Sequence, residues 1–132
     1  MAINLWAVLV AGIVHMIIGA IWYSNALFAQ AWMRLVGKTK EDMKKGGNDM
    51  YIWAFISSLV MAFVLAQFLA YAGVTSVAMG LQISFMAWLG FTATTQMLNY
   101  MFAGRPQKLY LIDSGYHLIG LLAMGAILSA WI

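Results

Sequence analysis

The stretch INLWAVLVAGIVHMIIGAIWY, residues 3–23, has no charged side chain, and its most polar members are Asn4 and His15. About 20 apolar helical residues are enough to cross the ~30 Å hydrocarbon core of a bilayer. Membrane barrel strands would instead be about ten residues long and would alternate in polarity. The sequence therefore predicts an all-α integral membrane four-helix bundle, with residues 1–132 as a single transmembrane domain. The other three predicted spans lie at about 51–71, 77–102 and 109–131.

The composition is typical of a membrane protein. Of the 132 residues, 64% are hydrophobic and 8% are charged, whereas a soluble domain carries about 25% charged residues. The mean hydropathy is +0.86. The absence of cysteine excludes disulfides, thiolate metal sites and CxxC redox motifs. A signal peptide would begin with basic residues; residues 1–4 contain none, so we interpret the first apolar run as a retained span.

The loop charges predict the orientation of the spans. Basic residues occur in the loops 24–50 and 103–108, while the turn 73–76 carries no charge. Lys and Arg are enriched in cytoplasmic loops, so both loops are expected in the cytoplasm and both termini on the outer face. The net charge of +3 is thus a topology signal, and we expect no nucleic-acid partner. The basic side chains are Arg34, Lys38, Lys40, Lys44, Lys45, Arg105 and Lys108.

The loop 24–50 is predicted to contain a short interfacial helix between spans one and two. Ser24 or Asn25 can cap this helix, and Gly37 can end it. Next, the residues 39–42 (TKED) resemble a capping box with Asp in the fourth place. The apolar face of the interfacial helix would lie on the inner membrane surface; it carries Phe28, Trp32 and Leu35.

Most aromatic residues fall at the predicted span ends, where amphipathic rings prefer the headgroup level. Only Trp88 and Tyr116 lie deeper in their spans. The aromatics assigned to the inner interface include Trp22, Tyr23, Tyr100 and Tyr110.

Each predicted span places a polar side chain roughly 9–12 Å below its cytoplasmic end, at about 1.5 Å per residue. Ionisable groups inside a bilayer cost about 2.5 kcal/mol or more and normally face the interior of a bundle. An aspartate at i and a histidine at i+4 also share one helix face, as Asp113 and His117 do. We therefore expect an intramembrane polar site. Its predicted members are His15, Ser57, Ser58, Gln96, Asn99, Asp113 and His117.

The chemistry of this site stays open at the level of sequence. His15, Asp113 and His117 could bind a divalent metal, or the two histidines could ligate a haem iron, but neither cofactor is favoured. The same residues could serve a proton relay, or they could only hold the helices together. Separately, Gln67 and Gln82 fall at similar depth on adjacent antiparallel spans, which predicts a structural amide–amide hydrogen bond.

Several short motifs resemble a known family. The segment from His15 through Gly19 to Trp22-Tyr23-Ser24, followed by Leu27-Phe28, is similar to the opening signature of small bacterial membrane proteins catalogued as domain of unknown function 1761. This family often has proline at the position of Asn25. The resemblance implies a four-span helical protein of the bacterial inner membrane and no established activity. The later matching motifs are Trp88-x-Gly90-Phe91 and Asp113-x-Gly115-Tyr116.

We favour an ion, proton or small-solute transport or channel component among the possible functions. Four spans enclose little space alone, so the transport hypothesis predicts a homo-oligomer in the lipid bilayer. The alternatives are a haem- or metal-binding subunit and an accessory protein whose polar layer is only structural. An enzyme is the least expected, because the sequence has no recognisable nucleophile or zinc-protease motif.

Overall fold

The computed structural model describes residues 3–45 and 47–131, and all of the regular structure in this part of the chain is helical. The predicted all-α class is therefore confirmed. In chain order the helices are α1 (Leu5–Trp22), α2 (Ala29–Val36), α3 (Lys40–Lys45), α4 (Asp49–Tyr71), α5 (Val77–Ala87), a π-helical segment (Trp88–Ala93), α6 (Thr94–Phe102) and α7 (Gln107–Ala130).

Four helical spans are long and apolar enough to cross a membrane, as the sequence predicted. We call the end of the bundle at Leu5, Tyr71, Val77 and Ala130 the terminal end, and the opposite end the loop end. Which end faces the cytoplasm, and whether α2 lies at a membrane surface, stay predictions. The spans are Leu5–Trp22, Asp49–Tyr71, Val77–Phe102 and Gln107–Ala130.

The ends of α1 explain why the predicted cap of α2 is wrong. Asn4 caps α1, because its side chain accepts hydrogen bonds from the backbone N–H groups of Trp6 and Ala7. At the other end, the Ser24 hydroxyl donates to the Ile21 carbonyl at 2.6 Å. Ser24 therefore ends α1 instead of starting α2, which begins at Ala29 without a side-chain cap.

The end of α2 and the start of α3 follow the sequence closely. Gly37 adopts the left-handed conformation at the end of α2, with φ of 74°. Thr39 and Asp42 form the predicted capping box, since each side chain accepts from the backbone N–H of the other, at 3.0 and 3.2 Å. The hydrogen bond from the Thr39 backbone holds the pKa of the Asp42 carboxyl below its usual value.

Helix α7 lies at the centre of the fold. It packs against α1 on one side and against α5 on another, while α1 also packs against α4. By contrast, α4 and α5 share few contacts, although only the residues 72–76 separate them in sequence. The apolar core of α1, α4 and α7 is made of Ala7, Val8, Ala11, Ala62, Leu65, Ala66, Leu69, Leu121, Met124 and Leu128.

This arrangement contradicts the predicted Gln67–Gln82 pair. Gln82 is exposed, Gln67 is half-buried, and the structure shows no hydrogen bond between these two described residues. The physical reason is that α4 packs mainly against α1, and α5 packs mainly against α7. The prediction assumed that a short turn makes α4 and α5 a tightly packed hairpin, but α5 packs against α7.

Close packing of α5 against α7 depends on two reciprocal pairs of glycine and serine. Gly80 faces Ser129, and Gly125 faces Ser84, so that a Cβ atom on either glycine would overlap the opposite hydroxyl. Each hydroxyl is satisfied within its own helix, where Ser84 donates to Gly80 and Ser129 donates to Gly125. Small residues let two membrane helices approach closely enough for extensive van der Waals contact.

We predict that Gly125→Ala destabilises the protein, because its methyl group would meet the Ser84 hydroxyl and come within 3.1 Å of the Gly80 carbonyl oxygen. Overpacking of this kind costs about 1–3 kcal/mol. The midpoint of thermal unfolding in detergent measures the effect. Gly90→Ala is the matched control, since a Cβ there meets no atom within 4 Å. Equal midpoints for the two variants would refute the role of the glycine–serine packing.

Candidate functional site

Asp113 is held by two tyrosine hydroxyls that come from two other spans. Tyr23, at the end of α1, donates to Asp113 Oδ1 at 2.6 Å, and Tyr100 of α6 donates to Oδ2 at 2.5 Å. The carboxyl group belongs to α7 and is half-buried. One side chain therefore joins the first, third and fourth spans at the loop end of the bundle.

The hydrogen bonds at Asp113 suit an ionised carboxyl group. Hydrogen bonds from hydroxyl groups to ionised oxygens are typically about 2.5–2.7 Å long, and both oxygens of Asp113 accept one. Asp113 lies six residues after the start of α7, which places it about 9 Å into the span. Within the described ranges, Asp113 forms no salt bridge. The Arg105 guanidinium instead lies over the Tyr100 ring, 5.5 Å from its centroid.

His15 forms a second polar cluster, deeper in the bundle. Its Nδ1 atom lies 2.7 Å from the Ser58 hydroxyl of α4 and 3.1 Å from the Tyr116 hydroxyl of α7. The Tyr116 hydroxyl also lies within donating distance of the His15 carbonyl, at 3.2 Å. His15 is only 4% exposed, and its Nε2 atom is buried without a hydrogen-bond partner in the described structure.

Two glycines make room for this cluster. A Cβ at Gly120 would lie 2.5 Å from His15 Cδ2 and 3.0 Å from Nε2. A Cβ at Gly19 would lie 2.8 Å from the Tyr116 hydroxyl oxygen. Because neither glycine has a side chain, the two rings can lie directly against the neighbouring backbones.

Aromatic rings connect the two clusters. The His15 and His117 rings are 6.2 Å apart between centroids, and the Tyr116 ring lies 4.9 Å from His15 and 5.0 Å from His117. Tyr116 also meets the Tyr23 ring edge-on at 5.5 Å. At the loop end, Trp32 of α2 packs edge-on against Tyr23 at 5.9 Å. We use "Asp113 site" for Asp113 together with Tyr23 and Tyr100, and "His15 cluster" for His15 with Ser58, Tyr116 and His117.

Three more aromatic side chains donate hydrogen bonds to backbone carbonyls around α7. Trp22 donates to Ile112 and Trp88 to Ser114, both at 2.9 Å. Tyr110 donates to Ala93 at the end of the π-helical segment. These bonds fix the rotation of α7, and with it the direction in which Asp113 points.

The structure brings together only part of the predicted polar layer. His15, Ser58, Asp113 and His117 meet at the loop half of the bundle. Ser57 is exposed, because it is adjacent to Ser58 on α4 and only one of the two can face α1. Consecutive helical residues point about 100° apart.

The third span departs from the prediction for a different reason. Asn99 is exposed, and Gln96 is half-buried with its Oε1 atom unpartnered among the described residues. The π-helical segment inserts a wider turn, so the face that follows it is shifted by one residue. Tyr100 therefore faces α7, where the sequence predicted Asn99.

Sequence reasoning missed the tyrosines of the site. Tyr23 and Tyr100 had been assigned to the inner membrane interface, which explains their position along the spans but not their contacts. For Tyr116 a signal was present, since its depth within the fourth span was already unusual for an interfacial ring.

Neither a metal nor a haem fits the residues well. No three His, Asp or Glu side chains converge as a metal-ligand set among the described residues. A haem between the two imidazoles would need the space that the Tyr116 ring fills, and Gly120 already lies against His15. As packed, the site has no room for a macrocycle.

The polar site is confined to one half of the bundle. Towards the terminal end, the interior between α1, α4 and α7 is apolar, with Ala11, Ala62 and Met124 fully buried. The buried hydroxyls of Ser84 and Ser129 lie between α5 and α7, and each is bonded to its own helix. Among the described residues, the polar side chains of the site therefore lie in the loop half, and the core of α1, α4 and α7 beyond them is apolar.

Comparison with known proteins identifies one family. A family model described as "Protein of unknown function (DUF1761)" matches residues 6–129, nearly the whole chain. No curated protein and no solved structure matches this chain. The resemblance inferred from the short motifs is thereby confirmed, while the chemistry of the site rests on its geometry.

We predict that Ser58→Ala lowers stability, because the change removes the hydroxyl at 2.7 Å from His15 Nδ1 in a buried site. Hydrogen bonds between membrane helices contribute about 0.6–2 kcal/mol. Ser57→Ala makes the same change at the exposed neighbour and should stay within about 0.5 kcal/mol of the wild type. Reversible unfolding in mixed micelles measures both values, and a Ser58→Ala protein as stable as Ser57→Ala would contradict this account.

Proposed function

The chain belongs to the DUF1761 family, and we propose that it is a proton- or cation-exchanging component of an inner-membrane transport system, with Asp113 as the exchange site. The observation that carries this proposal is the Asp113 carboxylate, which accepts two tyrosine hydroxyls and forms no salt bridge among the described residues. Both termini face out in this proposal, so that the loop end faces the cytoplasm.

The charge of Asp113 is the main argument for exchange. A carboxylate inside a membrane costs several kcal/mol unless a partner neutralises it. Two phenolic hydroxyls stabilise the charge but do not cancel it. A proton or another cation would do so, and either can arrive only from the loop end, because the core towards the terminal end is apolar. In this proposal the present conformation is one state of a transport cycle, in which Asp113 exchanges its cation with the loop end.

In this conformation, the apolar core of one protomer blocks the passage of a cation from Asp113 to the terminal end. The third span is the least buried of the four, so it has the largest free surface for contact with a second copy. We therefore keep a homo-oligomer within the proposal, since a path between copies, or a rearrangement of the apolar half, would complete the route.

An accessory, purely structural role is the second candidate. It is favoured by the observation that the polar side chains of the site join different spans: Tyr23 and Tyr100 meet Asp113, and His15 meets Ser58. A structural role predicts that mutations change stability only, whereas exchange predicts a change in flux at retained stability.

We predict that Asp113→Asn abolishes proton uptake by reconstituted vesicles. The amide keeps the shape and a hydrogen-bonding oxygen but can neither hold the negative charge nor take up a proton. The assay uses a pH-sensitive dye inside the vesicles, with uptake driven by a potassium diffusion potential. The expected rate for the variant is that of protein-free vesicles.

The matched control is Asp49→Asn, which makes the same change at an exposed position in the first turn of α4. Its uptake rate should equal that of the wild type. If folded Asp113→Asn protein takes up protons as fast as the Asp49→Asn protein, Asp113 is not the exchange site and the structural role is preferred.

A further inference from the structure

We propose that the cation exchanged at Asp113 is an organic ammonium ion, which binds beside the carboxylate and over the face of the Tyr100 ring, in the place that Arg105 partly occupies when no ligand is bound. This inference rests on the proposed function and names the ligand class of the same site. It follows from the ring arrangement, the missing oxygen ligands and the position of Arg105.

Two tyrosines bring aromatic rings next to the Asp113 carboxylate. Tyr23 and Tyr100 reach it through their hydroxyls, so their rings lie beside it. The Tyr23 ring in turn contacts Tyr116 and Trp32, with centroids 5.5 and 5.9 Å away. Ring faces attract cations, and cages of such rings are a recurrent means of binding quaternary ammonium groups.

The site suits a weakly hydrated organic cation better than a metal ion. Calcium takes six to eight oxygen ligands, and magnesium demands near-octahedral geometry. Here a single carboxylate is present, both of its oxygens already accept a hydroxyl, and no further acidic side chain joins it among the described residues. An ammonium ion needs only one counter-charge and ring faces.

Arg105 shows that a cation can be accommodated at this place. Its guanidinium carbon lies 5.5 Å from the Tyr100 ring centroid. The backbone N–H of Arg105 donates to the Tyr100 carbonyl at 2.9 Å, and this turn holds the residue next to the ring. Because Arg105 is exposed, its side chain can move away without disturbing the core. Arg105 would therefore compete with a ligand for the face of Tyr100.

The cation and a proton compete for the Asp113 carboxyl group. When the carboxyl is protonated, a monovalent ammonium ion can take its place as counter-charge only if the proton leaves to water, so one charge replaces one charge. The charged and titratable groups that face the site are Tyr23 from α1, Tyr100 from α6, Arg105 from the following turn, and Tyr116 and His117 from α7 itself.

The first experiment uses benzyltrimethylammonium as probe, with the purified full chain in detergent and titration calorimetry as readout. The wild type should bind the probe and should not bind neopentylbenzene, its neutral carbon isostere. Tyr100→Phe keeps the ring and should retain most of the affinity. Tyr100→Leu removes the ring and should weaken binding by about two- to fivefold or more, as expected for an exposed cation–π contact.

The second experiment removes the internal competitor. Arg105→Gln should strengthen probe binding by about two- to fivefold, because the Tyr100 face is then free. Arg34→Gln makes the same change at an exposed arginine of α2, which has no contact with Tyr100, and should leave the affinity unchanged. Neither arginine lies in the core, so both variants are expected to fold.

In weakly buffered solution, at a pH low enough to protonate the ligand-free carboxyl group, probe binding should release protons from the wild type and none from Asp113→Asn. Absence of probe binding, equal affinity for the neutral isostere, or weaker binding by Arg105→Gln would each overturn the inference. Infrared spectroscopy of the ligand-free protein separates this failure from that of the proposed function. A carboxyl band that titrates in the wild type and is lost in Asp113→Asn would leave proton exchange standing without an organic cation.

Discussion

The Asp113 carboxylate is the constraint on which the loop half of this protein depends. A negative charge about 9 Å inside a membrane span must be stabilised by its neighbours, and here Tyr23 and Tyr100 donate to its two oxygens. To do so, the first and third spans must approach the fourth at fixed rotations. In the same half of the bundle, the Tyr116 ring lies beside both histidines, and the carboxylate has no cationic partner within the described structure. The contacts that join the three spans are thus the same contacts that surround the group on which the proposed exchange depends.

The central position of α7 follows from its side-chain pattern. Gly120 and Gly125 let His15 and Ser84 approach its backbone, and indole groups from both sides bond to its carbonyls. The small residues of α7 thus admit both the first and the third span, and Asp113 accepts hydrogen bonds from the same two spans. This explains why α5 leaves its sequence neighbour α4 and packs against α7 instead. The interior between α1, α4 and α7 also divides into a polar half at the loop end and an apolar half at the terminal end.

The candidate site could be predicted in part, and the limits have identifiable causes. Counting residues along the spans found His15, Ser58, Asp113 and His117, because depth in a membrane depends on sequence position alone. The same count could not choose between Ser57 and Ser58, which differ in rotation and hardly in depth. It placed Asn99 where Tyr100 lies, because a π-helical turn changes the rotation of every residue after it.

The sequence by itself determined the helical class, the four spans, the capping box at residues 39–42 and the family. Each of these depends on local composition, on the length of an apolar run or on a short motif. Only the tertiary structure decided which helices are neighbours, which tyrosines reach Asp113 and that Gln67 does not pair with Gln82. Those outcomes depend on the relative rotation of helices, which is set by side-chain packing between segments far apart in sequence and has no signature within any one of them.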